Sequence, residues 1–338
     1  MDYPWAKKPI TFEKFMDFCL YDPEAGYYTN QSEIFGPQGD YYTSPYTHPV
    51  FADVLARAMI AYLRGLSSPS PADLVELGAG EGLLSRDLLA HIQAHAPDLD
   101  SRLRYHFTEV NRPHLPDPIR GVVFSNEFFD ALPVHRVRVR DSQLREIYVH
   151  GTDPIREEER EISDPRILEY MKIGFPKWHE GHSYEVNLRM LDVLSDLDRR
   201  VQRGHLITID YGFQWQEYDA RPRPKGTLMC YTRHQARSNP YLHIGHQDLT
   251  AHVNFDVLMA AGERLGWRST PPITQRQFLM QWGLEERLMK EEKRGLFNLD
   301  RMRDRLGLRD LLQAGGVCDT MKVLVQSIGC EDGTSAST

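Results

Sequence analysis

Little in this chain points toward thiol chemistry, membranes or nucleic acid. Its four cysteines, Cys19, Cys230, Cys318 and Cys330, are widely spaced and include no Cys-x-x-Cys pair. A zinc site or a disulfide framework is therefore not expected, and a reducing compartment fits. No stretch approaches the roughly 18 continuous apolar residues that a spanning helix requires. There is no excess of positive charge: 40 Lys and Arg stand against 48 Asp and Glu, a formal net charge of −8. That removes the electrostatic footprint of a nucleic-acid binder and leaves a surface that would tolerate a basic protein partner. Internal repeats and low-complexity tracts are also missing, apart from a polar tail at 331–338 that is expected to be disordered. The opening Met1 to Pro9 has neither a signal-peptide apolar core nor an arginine-rich presequence, so a cytoplasmic protein is expected.

What is present is most informative from Leu74 to Gly82, which reads Leu-Val-Glu-Leu-Gly-Ala-Gly-Glu-Gly. An apolar strand carrying an acid breaks into three glycines at alternate positions, and a helical run from Leu83 to Ile92 follows. This is the opening of an open α/β nucleotide fold, whose ligand lies at the carboxyl ends of the strands. A dinucleotide-binding turn needs its third glycine three positions after the second, where this chain has Leu83. Glu76 would also be an awkward neighbour for a pyrophosphate and suits a cationic ligand. S-adenosylmethionine, with an ammonium and a sulfonium and no phosphate, is such a ligand. Taken alone, the motif also fits a glycine-rich turn with no ligand.

At 338 residues with 41% apolar content, the chain can build a substantial core. The first 64 residues read as a lid: a helix over Phe12 to Leu20, aromatic loops, then a second helix through Leu63. After the glycine turn, strands are expected over Leu103 to Phe107, ending in Thr108-Glu109, and over Val122 to Ser125, ending in Asn126-Glu127. Arg136 to Arg140 and Leu144 to Val149 read as a hairpin, and Glu157 to Glu161 as a solvated charge run. A helix is expected from Val186 to Val201, stopped by Gly204 before a strand over Leu206 to Ile209 that delivers Asp210-Tyr211-Gly212. An irregular stretch from Phe213 to Gly245 follows, then helices over Phe255 to Leu265, Gln275 to Lys293 and Arg301 to Leu312, and a last strand, Lys322 to Ser327. Alternating strands and helices with insertions mean a doubly wound α/β sheet with an accessory cap. The expected division is an N-terminal lid (1–70), a core (71–330) with an accessory subdomain inserted at about 213–310, and the tail.

Residues closing each strand can converge on one ligand. Glu109 is suited to accept hydrogen bonds from both hydroxyls of a ribose. Asn126, Glu127 and Asp130 lie in Asn-Glu-Phe-Phe-Asp-Ala-Leu-Pro, where two carboxylates three residues apart could grip a guanidinium; a helix start capped by Asn126 is the competing reading. Asp210, closing an apolar strand, is costly to bury unless paired and is a candidate to hold substrate, with Tyr211 beside it. His234, His243, His246 and His252 gather near Asp248 in the irregular region. The spacing His243-x-x-His246 has no helix to aim both rings and no nearby thiolates, so no metal site is assigned.

The segments Asp22 to Tyr28, Gly39 to Pro45, Val75 to Gly82, Asn126 to Val134, Asp210 to Gly212, Gly226 to Leu228 with Tyr231 and His234, and Asp248 to Phe255 together resemble the MidA-type methyltransferases. That family includes a mitochondrial assembly factor that methylates an arginine of a respiratory-complex subunit. The resemblance implies a Rossmann-like, seven-strand class I methyltransferase sheet with a helical accessory subdomain. It implies S-adenosyl-L-methionine as methyl donor and a protein arginine as acceptor, in a partner such as a respiratory-complex subunit. Glu76, Gly78, Gly80 and Gly82 would cradle the methionine part with Asn126 nearby, and Glu109 the ribose. Thr43 and Ser44 would close over the cofactor. Glu127, Asp130 and Asp210 would face the acceptor, and Tyr211, His234 and Asp248 would bind it. One departure stands out: only twelve residues separate Glu109 from Val122, where the family has a helix and a further strand. The adenine side should therefore be abbreviated. Two rivals remain: a small-molecule O- or N-methyltransferase with a narrow aromatic pocket from Tyr27, Tyr28, Tyr41, Tyr42 and the Phe213 to His246 region, and a non-catalytic assembly protein that keeps the fold.

Overall fold

The computed structural model describes residues 3–30, 49–66, 71–109, 112, 114–232, 235–293 and 316–330. The expected cofactor-covering residues Thr43 and Ser44, the loop histidine His234, the helix over 301–312 and the tail 331–338 lie outside the described residues. The chain divides into two compact units, one of residues 1–41, 129–195 and 212–261, the other of residues 42–128, 196–211 and 262–338.

The second unit contains the α/β sheet. Its five main strands are β1 (Ala72–Leu77), β2 (Leu103–Thr108), β3 (Ile119–Asn126), β4 (Val201–Phe213) and β5 (Met321–Ile328). Their order is β2-β1-β3-β4-β5, with the short strand Arg268–Ser269 beyond β5. The first four run parallel, and β5 is antiparallel to β4 over Met321↔Tyr211 to Ile328↔Gly204. All six residues of β1 are buried, as expected where both faces of a parallel sheet are covered. Helix α1 (Pro49–Gly65) supplies Phe51, Val54, Leu55, Ala58 and Met59 to the core, and α2 (Leu83–His95) adds Leu84, Leu88 and Ile92 at i, i+4 spacing.

The sheet ends at β2. Among the described residues no helix or strand intervenes between Thr108 and Ile119, and a backbone bridge between Glu109 and Arg112 turns the chain back. The abbreviated connection is therefore a feature of the fold. Strand β4 is longer than its sequence suggests and contains Gly204 instead of beginning after it. Gly204 faces Gly121 of β3, and a Cβ on Gly204 would fall 2.1 Å from the Gly121 carbonyl oxygen. A Cβ on Gly121 would in turn fall 1.8 Å from the Asp73 carbonyl oxygen of β1, so neither position can carry a side chain, which is why glycines sit inside these strands.

In the first unit, His135–Arg140 and Gln143–His150 form the expected hairpin, flanked by Ser183–Val186 and Arg156–Arg160. The charge run is thus a strand, not a solvated loop. Its alternate glutamates face arginines of the hairpin, Arg136 to Glu157 at 2.7 Å and Arg138 to Glu159 at 2.8 Å. Val186 ends a strand instead of opening the next helix, which begins at Leu188 because Asn187 accepts the Met190 amide at 2.9 Å. The stretch from Phe213 to Gly245 is only partly irregular. It holds a helix, Trp215–Ala220, and the strands Met229–Thr232 and Gln235–Arg237, the first of which pairs with Asp248–Thr250.

Candidate active site

The glycine turn leaves β1 with three left-handed residues, Gly78, Gly80 and Gly82, at φ 67°, 56° and 72°. A Cβ on Gly78 would stand 2.8 Å from Cδ2 of Phe128, so steric room and backbone sign both require glycine there. The Thr108 carbonyl accepts the amides of Gly78 at 3.1 Å and Ala79 at 3.3 Å, and the Glu109 carboxylate accepts the amide of Gly80. The end of β2 thereby holds the turn in place. Gly82 precedes α2, a helix with no side chain capping its first amides. Those amides favour an anionic group such as a carboxylate.

Glu76 lies beneath this turn, 3% exposed. Tyr105 on β2 donates its hydroxyl to Glu76 Oε2 at 2.6 Å, and the Ser85 hydroxyl of α2 also bonds the carboxylate. Burial pushes the carboxyl up to about 7 and nearby Glu109 adds to the rise, against the lowering by the two hydroxyl hydrogen bonds. Burial, then the charge of Glu76, in turn raises the Tyr105 phenol, so it stays a donor.

Asn126, Glu127 and Asp210 come together at the carboxyl ends of β3 and β4. Asn126 is the last residue of β3 and caps no helix. Its amide donates to Glu127 Oε1 at 3.2 Å. Glu127 occupies the left-handed region at φ 54°, fixed by its own N–H bonding the Ile209 carbonyl at 2.9 Å. A bulky residue there stores backbone strain of order 1–3 kcal/mol, which is often associated with function. Asp210 is fully buried, and its two oxygens accept the amides of Phe128 at 3.2 Å and Tyr211 at 2.9 Å. Lys322 of β5 stands opposite Asp210 in the register, and Tyr211 opposite Met321. Lys322 opens the last strand expected from the sequence, Lys322 to Ser327, is 8% exposed, and was given no site role there.

Between Phe128 and Phe129 the chain passes into the other unit, so Asp130 belongs to a different body from Glu127. Asp130 is 4% exposed, and the loop around it is held by Ala251 N–H on the Asp130 carbonyl at 2.9 Å, the Tyr21 hydroxyl on the Ala131 carbonyl at 3.0 Å and the Asn187 amide on the Phe129 carbonyl at 2.8 Å. Asp248, 1% exposed, accepts the Tyr28 hydroxyl at 3.0 Å and the Leu249 amide at 2.8 Å. Burial, then Asp248, Tyr21 and Asp130, lifts the Tyr28 phenol well above its ordinary value. This unit thus gathers Tyr21, Tyr28, Asp130 and Asp248. His252 is held near 3 by burial and by Arg223, hence neutral. His243 and His246 form a tight turn, the His246 amide on the His243 carbonyl at 2.7 Å.

A family model described as "Putative S-adenosyl-L-methionine-dependent methyltransferase" matches residues 54–115 and 112–273. The chain belongs to this methyltransferase family. It is 27% identical over 335 residues to the protein arginine methyltransferase NDUFAF7 homolog, mitochondrial, of Drosophila melanogaster, covering 83% of this chain and 73% of that protein. The human protein arginine methyltransferase NDUFAF7, mitochondrial, is 25% identical over 328 residues, covering 83% and 71%. A Burkholderia thailandensis structure solved with S-adenosyl-homocysteine bound superposes at a TM-score of 0.81, with 27% identity, over 96% of this chain and 89% of that one. The methyltransferase uses S-adenosylmethionine as its cofactor. The bare glycine turn, the open first amides of α2 and the buried acid beneath them fit the methionine end of that molecule. The expectation of a cytoplasmic protein is corrected: the named relatives are mitochondrial. The composition of Met1 to Pro9 was a poor guide to compartment. Among the described residues no helix is long and apolar enough to cross a membrane.

Proposed function

We propose that this methyltransferase modifies an arginine side chain of a protein, with an arginine-bearing respiratory-complex subunit as the first acceptor to test. The single observation that carries the reading is Glu127, held in a left-handed conformation at the end of β3 next to the buried Asp210. The names of the relatives support the acceptor class.

S-adenosylmethionine, when bound, supplies a methyl group on an already activated sulfonium. The protein's main task is alignment, since in-line displacement rewards a nucleophile held behind the methyl carbon. In the transfer the carbon–sulfur bond breaks with its electron pair going to sulfur, a carbon–nitrogen bond forms, and the substituted guanidinium loses one proton. A guanidinium remains protonated in water and presents five donors, so Glu127 is placed to orient one nitrogen, localise the charge and accept the proton. Glu76 with the turn glycines holds the methionine end, Glu109 the ribose, and Asn126 steadies Glu127. Asp210 fixes the Phe128 amide beside it. Asp130 and Asp248, with Tyr28, form a buried acid and phenol group within the other unit.

The test is Glu127→Gln in the full chain. Transfer of labelled methyl to protein, read as methylarginine after hydrolysis, should disappear, while calorimetric affinity for S-adenosylmethionine stays nearly unchanged. Full methylarginine formation by this variant overturns the role of Glu127. Label found only on small molecules with the unaltered protein overturns the acceptor class.

A further inference from the structure

Glu76 and Tyr105 form the shortest buried acid–phenol contact of the sheet unit among the described residues, 2.6 Å between oxygens on adjacent parallel strands. The register sets Glu76 beside Phe107 and Leu74 beside Tyr105, so Tyr105 reaches diagonally across one face of the pair to the acid. We propose that Tyr105 is a positioning residue for cofactor binding: its phenol, 2.6 Å from the Glu76 carboxylate, aims that carboxylate for the cofactor's ammonium and favours its charged form.

This rests on the assignment of Glu76 to the methionine end. The groups facing the carboxylate are few. Tyr105 comes from β2, Ser85 from α2 and Glu109 from the turn after β2. Of these, the two hydroxyls favour the ionised form and Glu109 disfavours it. With the carboxyl near 7, Glu76 carries its charge above that pH and loses it as the pH falls through it. A neutral carboxyl cannot pair with an ammonium, so affinity should fall on the acid side. Removing the phenol takes away a hydrogen bond that favours the charge, so the loss should begin at a higher pH.

The experiment is calorimetric titration of the full chain with S-adenosylhomocysteine from about pH 6 to about pH 8, for the unaltered protein, Tyr105→Phe, Glu76→Gln and the double variant. The ligand's own ionisation is common to all four and cancels in the comparison. Glu76→Gln is expected to bind weakly with no acid-side loss. Tyr105→Phe should bind about fivefold more weakly at about pH 7, with the acid-side loss displaced upward by about one pH unit. The double variant should match Glu76→Gln, because the phenol acts only through the carboxylate. If Tyr105→Phe follows the unaltered protein's profile while Glu76→Gln is flat, the inference about Tyr105 is overturned and the cofactor role of Glu76 stands. A Glu76→Gln profile identical to the unaltered one overturns the Glu76 assignment itself. A double variant weaker than Glu76→Gln makes Tyr105 a general packing residue and overturns the linkage. Thermal melting without ligand separates these outcomes from simple unfolding.

Discussion

Two buried carboxylates are each held by a tyrosine, one in each unit of this chain, and they are held differently. Glu76 takes hydroxyls from Tyr105 and Ser85 and has Glu109 nearby, whereas Asp248 takes Tyr28 and the backbone amide of its neighbour Leu249. Tyr105 lies 29 residues from its acid and Tyr28 lies 220 from its own. The first pair follows from strand neighbours flanking a turn. The second exists only once the amino-terminal helices meet a strand from far along the chain. Glu76 is therefore part of a locally built element around the glycine turn, and Asp248 ties sequence-distant parts of its unit together.

The largest expected effect tests whether the turn is as locally determined as that contrast requires. Gly78→Val places a branched side chain at φ 67° with a Cβ 2.8 Å from Phe128, and should cost about 4 kcal/mol of stability and abolish cofactor binding. Chemical denaturation and calorimetry read both. Next is the free energy stored at Glu76. Its carboxyl titrates at about 7 in the fold against an ordinary value of 4.5. The folded state thus resists ionising it, and the fold loses stability as pH rises from about 4.5 to 7. Without cofactor, Glu76→Gln should be indistinguishable from the unaltered protein at about pH 4 and more stable by on the order of 3 kcal/mol at about pH 8. Equal stabilities at the higher pH would break the contrast, leaving Glu76 as ordinary as any paired core acid.

Tyr28→Phe probes the other side. It removes a hydroxyl donor from a buried carboxylate and should destabilise the fold by about 2 kcal/mol. It should leave the dissociation constant for S-adenosylhomocysteine unchanged. A change in cofactor affinity instead would merge the two pairs into one function. Ser85→Ala is the mildest variant. It loses one hydroxyl shared between Glu76 and the Gly82 carbonyl at 3.1 Å, and should cost about 1 kcal/mol or less while raising the Glu76 carboxyl slightly.

The same contrast explains what was legible in the sequence. The strand, glycine turn and α2 could be read because apolar periodicity and backbone sign are local properties of neighbouring residues. The carboxyl-end group of Asn126, Glu127 and Asp210 was also visible, since each closes an apolar run. Arg156–Arg160 was misread because its alternation is charged on the face that meets arginines, so the usual apolar signal of a strand is replaced by ion pairs. The start of β4 was misplaced because a glycine selected for close backbone approach resembles one that stops a helix. Tyr28 and Tyr105 gave no local sign of their partners. An aromatic residue in a strand or a helix reads as packing until its hydroxyl is seen to reach an acid.

The facing pair Gly121 and Gly204 acts as the origin of a ruler. Gly204 abuts the backbone of Gly121, and Gly121 abuts that of Asp73 on β1, so a slip would drive a Cβ into a backbone. Counting five residues along each strand from that origin, at about 3.3 Å per residue, arrives at Asn126 opposite Ile209. The next residues are Glu127 and Asp210. The spacing of the strand ends that carry Glu127 and Asp210 is thus calibrated roughly 16 Å away, at the opposite end, by the absence of two side chains.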